Sequence, residues 1–355
     1  MKFIEKDFIA QEITSSFPHK ISITKEAPSN IALVKYWGKF PGQIPMNPSV
    51  SFTLTNSKSI TKGQFIPKKE KDNRLSFEFL FEGKPKPGFE PKIQTFLENI
   101  LPYAPFLTAY HLIFDSRNTF PHSSGIASSA SAFAALSKII IELEKKLAKS
   151  PKEEEYYLKK ASFLARIGSG SAARSIEGPV SLWGEHPEIE RSSNIYAVKP
   201  GFELHENFKN FRDSIVLVEK GQKKVSSTAG HALMENHIFK EIRKNQAFDN
   251  TTEMLSILEN GDLDKFIELV EAEALTLHAM MMTSSPNYLL MQPETLHIIH
   301  KLREYREATG SKACFTLDAG ANVHILYPRK EEKEIKSWLK SITGKEILDD
   351  FIKMA

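Results

Sequence analysis

Cysteine is almost absent from this 355-residue chain. Cys314 is the single cysteine, so neither an intramolecular disulfide nor a metal site built from cysteines is possible. Apolar runs are short, and none approaches the roughly 20 residues that a membrane-spanning helix needs. Residues 1–13 mix acidic side chains with apolar ones and have no unbroken apolar core of the kind found in secretory signals. We therefore expect a cytoplasmic protein.

Net charge is also small, because 47 Lys and Arg balance 44 Asp and Glu to leave +3. This balance argues against a dedicated nucleic-acid binder, which needs a strong basic excess or a basic stripe, but it allows a local pocket for a small anion. The 11 histidines show no HExxH spacing, so we expect no metal held by the protein alone. With 41% hydrophobic and 26% charged residues, the chain has the composition of a globular protein with a real core.

The length exceeds that of one simple domain, so we expect two lobes, residues 1–205 and 206–355. Strands and helices mix without a regular βαβ repeat, which favours an α+β fold over a doubly wound sheet. Residues 1–20 read as an amphipathic extension, and residues 61–91 as a hairpin with solvated turns. The alternation and periodicity of apolar residues predict strands at 21–24, 50–54, 111–114, 215–218, 313–317 and 323–327, and helices within 231–281 and at 293–309.

Two further helices are predicted in the middle of the chain. After Gly125, apolar residues from Phe133 to Leu147 recur at three- and four-residue steps and form one face. In the next helix Ser150 suits the N-cap and Glu153 would complete a capping box, and the helix runs to about residue 167. A charged helix is expected to close the chain.

The loop before the first of these helices is rich in small and hydroxyl residues. It reads Pro121-His-Ser-Ser-Gly-Ile-Ala-Ser-Ser-Ala130. Small residues let the backbone approach a ligand closely, and a helix start offers unpaired N–H groups to phosphate. An ordinary Ser-rich helix start is the alternative, since Ser is a favoured N-cap. The segment Val225–Gly230 is a second hydroxyl-rich loop ahead of a helix.

Three more segments concentrate polar groups beside glycines. In Lys35-Tyr-Trp-Gly-Lys39 two cations bracket a Tyr and a Trp, which suits an anionic, hydroxylated substrate, although composition alone favours a strand end with solvated lysines. In Gly168–Ser175 a Gly-Ser turn opens a helix carrying Arg174, whose guanidinium offers bidentate donors to phosphate; a flexible linker is the alternative. In Asp318–Asn322 an Asp follows a buried strand and can act as a base, or simply form a turn.

Taken together and in order, these segments resemble the diphosphomevalonate (mevalonate 5-diphosphate) decarboxylases, within the GHMP superfamily of small-molecule kinases. The motifs that carry the resemblance are ALVKYWGK, PxxxGIASSA, GSGSAARS, VSSTAG and LDAGAN, spread over residues 21–328. The PxxxGIASSA loop is common to the superfamily, whereas KYWGK and GSGSAARS are much more specific to the decarboxylases. The resemblance implies an N-terminal lobe like ribosomal protein S5 domain 2, a ferredoxin-like C-terminal lobe and a deep cleft between them.

The resemblance also implies the activity: phosphorylation of the tertiary 3-hydroxyl of mevalonate 5-diphosphate by ATP with Mg²⁺, then loss of phosphate and carbon dioxide to give isopentenyl diphosphate. It implies a homodimer as well. Transferred to this sequence, the catalytic residues are Asp318, Lys35 and Arg174. The substrate-binding residues are Tyr36, Lys39, Ser169, Ser171, Arg174 and Asn322. The ATP-binding residues are Ser124, Gly125, Ala127, Ser128, Ser129, Ser226 and Ser227.

Small departures from the family pattern leave substrate discrimination open. Ile126, Ala173, Ala321 and His231 stand where Leu, Cys, Pro and Met are frequent. A GHMP small-molecule kinase, or a decarboxylase, acting on mevalonate or mevalonate 5-phosphate is one alternative. Product analysis separates a kinase from a decarboxylase because only the decarboxylase releases carbon dioxide. A non-catalytic ligand sensor is another, and it predicts binding without turnover.

Overall fold

The fold is given by a computed structural model that describes residues 2–14, 19–69, 72–121, 126–219 and 227–352. The strands are β1 (Ile21–Val34), β2 (Lys39–Phe40), β3 (Ile44–Pro45), β4 (Ser49–Pro67), β5 (Ser76–Phe81), β6 (Lys84–Pro85), β7 (Tyr110–Asn118), β8 (Val180–Trp183), β9 (Arg212–Val216), β10 (Cys314–Thr316), β11 (Val323–Tyr327) and β12 (Ile347–Phe351). The α-helices are α1 (Glu90–Ile100), α2 (Ser128–Leu147), α3 (Glu154–Gly168), α4 (Ser227–Ala232), α5 (Lys240–Asn260), α6 (Leu263–Met282), α7 (Pro293–Thr309) and α8 (Glu332–Ile342). Within the described residues, no helix combines the length and apolarity that crossing a bilayer requires.

The first sheet, together with α1, α2 and α3, forms the N-terminal lobe. Its strand order is β1-β4-β7-β5-β6, with β8 paired to β4, and β5 runs parallel to β7 while the other pairs are antiparallel. Helix α2 lies against this sheet at Gly63, where an added Cβ would meet Ile139 at 2.8 Å. The aromatic rings of Phe96 and Phe133 meet edge to face at 5.0 Å in the core between helices and sheet.

The second sheet, together with α5 to α8, forms the C-terminal lobe. It is antiparallel throughout, in the order β10-β11-β9-β12. Phe315, Leu302 and Leu339 are fully buried in the core that it shares with α7 and α8. The α+β class predicted from the sequence is therefore confirmed. The predicted division at residues 205 and 206 falls between β8 and β9 and stays a prediction.

The two lobes are joined by a common apolar core and by one carboxylate. Phe52 of the N-terminal lobe packs against Phe266 of the C-terminal lobe, with ring centroids 6.0 Å apart. Asp350, in β12, accepts hydrogen bonds from the backbone N–H groups of Thr55 and Asn56 at 2.8 Å and of Ser57 at 2.6 Å. These three amides belong to β4. The last strand of the C-terminal lobe, β12, is therefore hydrogen-bonded to a strand of the N-terminal lobe.

The N-terminal extension packs on the N-terminal lobe. A short 3₁₀ helix, Glu5–Phe8, places the fully buried Phe8 ring against Phe163, stacked at 4.9 Å. Thr14 N donates to the Leu147 carbonyl at 2.9 Å, so the extension also follows the end of α2.

Most predicted elements are confirmed, and the strands β1, β4 and β7 are longer than predicted. Helix α7 occupies the predicted span, and Gly310 follows it in a left-handed conformation. Helix α2 covers the predicted apolar face. The sequence Ser76–Phe81 is a strand, and it forms a tight hairpin with β6 while its other edge pairs with β7.

Three local predictions are wrong. Helix α3 begins at Glu154 rather than beside Ser150, because Lys149 N donates to the carbonyl of Glu12 and Lys152 N donates to the hydroxyl of Tyr157. The segment Gly170–Ser175 is a six-residue 3₁₀ helix, too short to be the helix expected there. The charged helix α8 is followed by β12, whose two aspartates concealed a strand from pattern analysis.

Candidate active site

A lysine from one lobe and an aspartate from the other meet at the junction of the lobes. Lys35 directly follows β1, and Asp318 lies two residues after β10. Lys35 Nζ donates to Asp318 Oδ1 at 3.0 Å. The lysine side chain is 2% exposed and the aspartate side chain 30%, so the ammonium lies behind a carboxylate that solvent or a ligand can reach.

Burial lowers the pKa of Lys35, and the neighbouring carboxylates of Asp318 and Glu273 act in the opposite direction. Burial also lowers the pKa of Arg174, to about 10, with Asp318 again opposing the shift. The nearby anions favour the charged form of both cations. An anionic ligand at this junction would add to that support.

Arg174 is held on several sides in the N-terminal lobe. Its Nη1 donates to Ser49 Oγ at 2.7 Å and its Nη2 to Asn30 Oδ1 at 3.4 Å, and its guanidinium lies 5.7 Å from the centre of the Trp183 ring. Its Nε is buried and has no hydrogen-bond partner in the structure. A buried guanidinium with an unsatisfied donor is a chemical match for a phosphate or carboxylate group.

The Tyr36 side chain is fixed by its neighbours, but its hydroxyl is not satisfied. Its ring packs against Trp183 and against His231, with centroids 4.9 and 4.2 Å away. Among the described residues the hydroxyl is buried and has no hydrogen-bond partner, and burial raises its pKa. At Gly170 an added Cβ would come within 2.8 Å of this hydroxyl, so the glycine gives Tyr36 its room.

His231 completes this aromatic group as a neutral imidazole. Its Nδ1 accepts a hydrogen bond from Gly38 N at 3.0 Å, which places the proton on Nε2. Burial, followed by the charges of Lys39 and Arg174, lowers its pKa to about 3. Lys39 itself donates to Gln43 Oε1 at 2.8 Å, and burial lowers its pKa.

The start of α2 meets the glycine-serine turn that precedes Arg174. Ser129, in the first turn of α2, lies 3.4 Å from Ser169, measured between the hydroxyl oxygens. Ala127 caps the helix in a left-handed conformation, and Ser128 is its first residue. The structure thus brings a predicted ATP-binding serine into contact with a predicted substrate-binding one. Ser171 lies in the 3₁₀ helix Gly170–Ser175 that follows Ser169, and its carbonyl accepts a hydrogen bond from Asn30 Nδ2 at 3.2 Å.

Some predicted residues lie elsewhere or outside the described part of the chain. Asn322 Oδ1 accepts a hydrogen bond from Glu219 N at 2.9 Å, at the outer end of the Asp318 loop. Ser124, Gly125 and Ser226 lie outside the described residues. Ser227 is the first residue of α4, and only its backbone is described.

Sequence reasoning missed the groups that hold the backbone of Lys35. Glu273, fully buried in α6, accepts from Lys35 N at 2.7 Å. Arg243 of α5 forms a bidentate pair with this carboxylate at 2.6 and 2.8 Å and donates to the Lys35 carbonyl at 3.0 Å. His278, also on α6, contacts the carbonyl of Asp318 at 3.1 Å. The one available signal was an acidic residue among the apolar positions of α6.

No group of three or more His, Cys, Asp or Glu side chains in the described ranges is arranged to hold a metal ion. The start of α2 instead offers serine hydroxyls and helix N–H groups at Ser128 and Ser129, two of the residues predicted to bind ATP. These suit the oxygen atoms of a phosphate, or the water shell of a hydrated Mg²⁺.

Comparison with known proteins gives a consistent result over nearly the whole chain. Residues 27–195 match the model of the diphosphomevalonate decarboxylase-like N-terminal domain, and residues 214–355 match that of the mevalonate 5-diphosphate decarboxylase C-terminal domain. The diphosphomevalonate decarboxylase of Ganoderma lucidum is 31% identical over 329 residues, covering 88% of this chain and 80% of that protein.

Solved structures agree with the sequence relatives. The mevalonate diphosphate decarboxylase of Staphylococcus aureus superposes with a TM-score of 0.81 at 30% identity, covering 95% of this chain and 97% of that one. A structure of MDDEF in complex with MVAPP, AMPPCP and magnesium superposes with a TM-score of 0.78 at 26% identity, covering 94% and 97%.

Proposed function

The chain belongs to the diphosphomevalonate decarboxylase family, and from that premise we propose which of its residues carry out the reaction. It is a carboxy-lyase that uses ATP and Mg²⁺ to decarboxylate mevalonate 5-diphosphate, giving isopentenyl diphosphate, ADP, phosphate and carbon dioxide. The observation that supports our assignment best is the Lys35–Asp318 pair at the junction of the lobes.

Asp318 is the carboxylate that takes the proton of the substrate's 3-hydroxyl. A tertiary alcohol is a poor and crowded nucleophile, so a positioned base contributes about 10²–10⁴-fold to its reaction. As the oxygen attacks the γ-phosphorus, the proton passes to the carboxylate and ADP leaves. Lys35 Nζ donates to Asp318 Oδ1 at 3.0 Å and so fixes the position of the carboxylate.

The second half of the reaction breaks two bonds of the phosphorylated substrate. The C3–O bond breaks with its electron pair leaving on phosphate, and the electrons of the C–C bond to the carboxyl group form the new double bond as carbon dioxide departs. The proton passes from Asp318 to the leaving phosphate, so the carboxylate regains its negative charge and stabilises the positive character that builds at C3.

The substrate side is formed by Tyr36, Lys39, Ser169, Ser171 and Arg174. The Tyr36 hydroxyl and Arg174 Nε, buried donors without a partner in the described part of the chain, would suit the anionic groups of mevalonate 5-diphosphate. Asn322, bonded to Glu219, supports the loop that carries Asp318.

The ATP side is formed by the start of α2, with Ala127, Ser128 and Ser129, and by Ser124, Gly125, Ser226 and Ser227. Helix N–H groups and serine hydroxyls suit the ATP phosphates, and Mg²⁺ supplies positive charge that stabilises the transferred phosphoryl group. The contact between Ser129 and Ser169 supports this arrangement, because it brings the phosphate donor beside the acceptor.

Product analysis tests the activity. Purified protein is mixed with ATP, Mg²⁺ and mevalonate 5-diphosphate, with mevalonate and mevalonate 5-phosphate as parallel substrates, and the products are identified by mass spectrometry. We expect isopentenyl diphosphate, ADP and phosphate from the diphosphate alone. A stable phosphorylated product would move the chain to the kinases, and binding without turnover would make it a sensor.

Homodimer formation and a cytoplasmic location are part of the same proposal. The lone cysteine, Cys314, is buried and free, as suits a protein of a reducing compartment. Light scattering on the purified protein should give twice the chain mass of 40.2 kDa. A monomer mass would contradict the dimer.

A further inference from the structure

One helix contacts both halves of the reactive pair through the main chain. On α6, Glu273 accepts from the backbone N–H of Lys35 at 2.7 Å. Five residues later on the same helix, His278 Nε2 lies 3.1 Å from the carbonyl oxygen of Asp318. The two anchors are separated by about 7.5 Å of helix rise, a rigid spacing set by backbone geometry.

Each anchor is fixed further by its surroundings. Glu273 is fully buried and accepts further hydrogen bonds from both Nη atoms of Arg243 and from Asn250 Nδ2 at 2.6 Å. Burial lowers the pKa of His278 to about 4, so its ring is neutral near pH 7. Because a carbonyl oxygen only accepts, the ring proton must be on Nε2.

The backbone of Lys35 is held on its carbonyl side as well. Arg243 Nη2 donates to that carbonyl at 3.0 Å, and Asn47 Nδ2 donates to it at 3.0 Å. Arg243 thus links the Glu273 carboxylate to the Lys35 carbonyl. The same carboxylate accepts a hydrogen bond from the Lys35 N–H. The peptide units on both sides of Lys35 are therefore fixed relative to α6.

We propose that Glu273 and His278 are positioning residues, which make α6 the element that sets the separation of Lys35 Nζ and Asp318 Oδ1. Lys35 comes from the N-terminal lobe and Asp318 from a loop of the C-terminal lobe, so neither local backbone can set that separation alone. This inference deepens the proposed function and rests on the roles assigned there to Lys35 and Asp318.

The chemical consequence is a specific loss of turnover when an anchor is removed. A displacement of about 1 Å between reacting groups can lower a rate by about 10²-fold. The groups that hold the substrate's anionic ends, such as Arg174, lie on other elements and keep their contacts. We therefore expect kcat to fall while the KM values for ATP and mevalonate 5-diphosphate stay unchanged.

The first test compares His278→Leu with His278→Gln. The leucine variant removes the donor to the Asp318 carbonyl, whereas the glutamine amide can still donate to it. We expect kcat of the leucine variant to fall by about tenfold to hundredfold, with the glutamine variant recovering most of it. Crystal structures of both variants should show a longer Lys35–Asp318 contact for leucine and the contact of 3.0 Å for glutamine.

The second test keeps the proposal open to refutation if the leucine variant fails to fold. Glu273→Gln turns an amide N–H towards donors that now face a carboxylate, so kcat should fall with both KM values unchanged. Glu271→Gln is the matched control, because Glu271 is buried on the same helix but pairs with Arg306 and accepts from Phe315 N at 3.4 Å instead of contacting the backbone of Lys35 or Asp318. It should change the melting temperature alone.

Two outcomes would overturn the proposal. One is a Lys35–Asp318 contact that stays at 3.0 Å in the structures of His278→Leu and Glu273→Gln. The other is a loss of the same size in all four variants, which would mark a general structural effect. If the unmodified protein makes no isopentenyl diphosphate, the proposed function fails, and the structures of the variants still decide the positioning role.

Discussion

At the scale of single residues, the site depends on side chains that are held by hydrogen-bond partners from both lobes. Lys35 has a carboxylate at its side chain and another at its backbone N–H. Asp318 is the member of the pair that a ligand can reach. The first prediction therefore concerns its carboxylate.

Asp318→Asn should lower kcat by about 10²–10⁴-fold, because an amide cannot take the proton of the 3-hydroxyl. Binding of mevalonate 5-diphosphate, measured by calorimetry, should persist. Asp264→Asn is a suitable control, since that carboxylate is 72% exposed and bonds to Lys312 on the surface. Near-normal turnover of the Asp318 variant would refute the assignment.

His231→Met should make the protein less sensitive to acid. In the folded chain the pKa of His231 is lowered to about 3 from its ordinary 6.5, so below pH 6.5 the unfolded chain binds a proton that the folded chain does not. Stability is therefore lost as pH falls from 6.5 towards 3, by up to about 1.4 kcal/mol per pH unit for this residue.

The measurement is the free energy of unfolding in urea at several pH values from above 7 down to about 4. The methionine variant should show a shallower decline than the unmodified protein, and the two curves should run parallel above pH 7. Parallel curves throughout would mean that the folded state does not suppress protonation of His231.

At the scale of elements, glycines decide how closely the site segments approach one another. In Gly170–Ser175 the first residue leaves room for Tyr36, and an added Cβ would also meet the Trp183 ring at 2.9 Å. The position is therefore a sensitive place to displace the Tyr36 hydroxyl without altering any polar group.

Gly170→Ala should raise the KM for mevalonate 5-diphosphate and lower the melting temperature, because overpacking a full site costs about 1–3 kcal/mol. Gly201→Ala is the matched control, since an added Cβ there meets nothing within 4 Å. Steady-state kinetics and thermal unfolding of both variants provide the comparison. Equal behaviour of the two would show that Tyr36 has room to move.

Elements whose ends are set by neighbouring residues were predictable, and those set by distant contacts were not. Helix α7 begins at Pro293 and is followed by Gly310, both of which act locally. The N-cap signal at Ser150 was overridden because Lys149 N, next to it, donates a hydrogen bond to the carbonyl of the distant Glu12. Strand β12 was missed because the burial of Asp350 depends on amides almost 300 residues earlier.

The same division applies to the candidate site. Motifs such as KYWGK and LDAGAN pointed to Lys35 and Asp318, and the structure places their side chains in contact. Glu273 belongs to no such motif, and its role arises from the way α6 packs against the end of β1. A periodic pattern indicates that a helix has a buried face, but it cannot identify which backbone that face meets.

At the scale of the whole molecule, Asp350 joins the two lobes. Asp350→Asn should lower the free energy of unfolding by about 1.5–3 kcal/mol, the range for a hydrogen bond to a charged group, because an amide offers one oxygen where the carboxylate accepts from four backbone N–H groups. Urea unfolding monitored by tryptophan fluorescence would measure the change.

Asp349→Asn is the neighbouring control: its half-exposed side chain accepts from Ser214 Oγ at 2.7 Å, which an amide oxygen can still do, and its ion pair to Lys336 is worth about 0–1 kcal/mol. A smaller loss for Asp350 than for Asp349 would contradict the role given to the joint. Unfolding in two separate steps for the Asp350 variant would show that this carboxylate couples the lobes.

The Asp350 joint also sets the order in which the protein can be completed during its synthesis. The amide of Thr55 can form its hydrogen bond only after Asp350, 295 residues later in the chain, has been synthesised. At 5–20 residues per second, that separation corresponds to about 15–60 s of translation. During this interval the amides of β4 lack the carboxylate that they bind in the folded protein. We expect the nascent N-terminal lobe to bind chaperones that cover incompletely folded sheets.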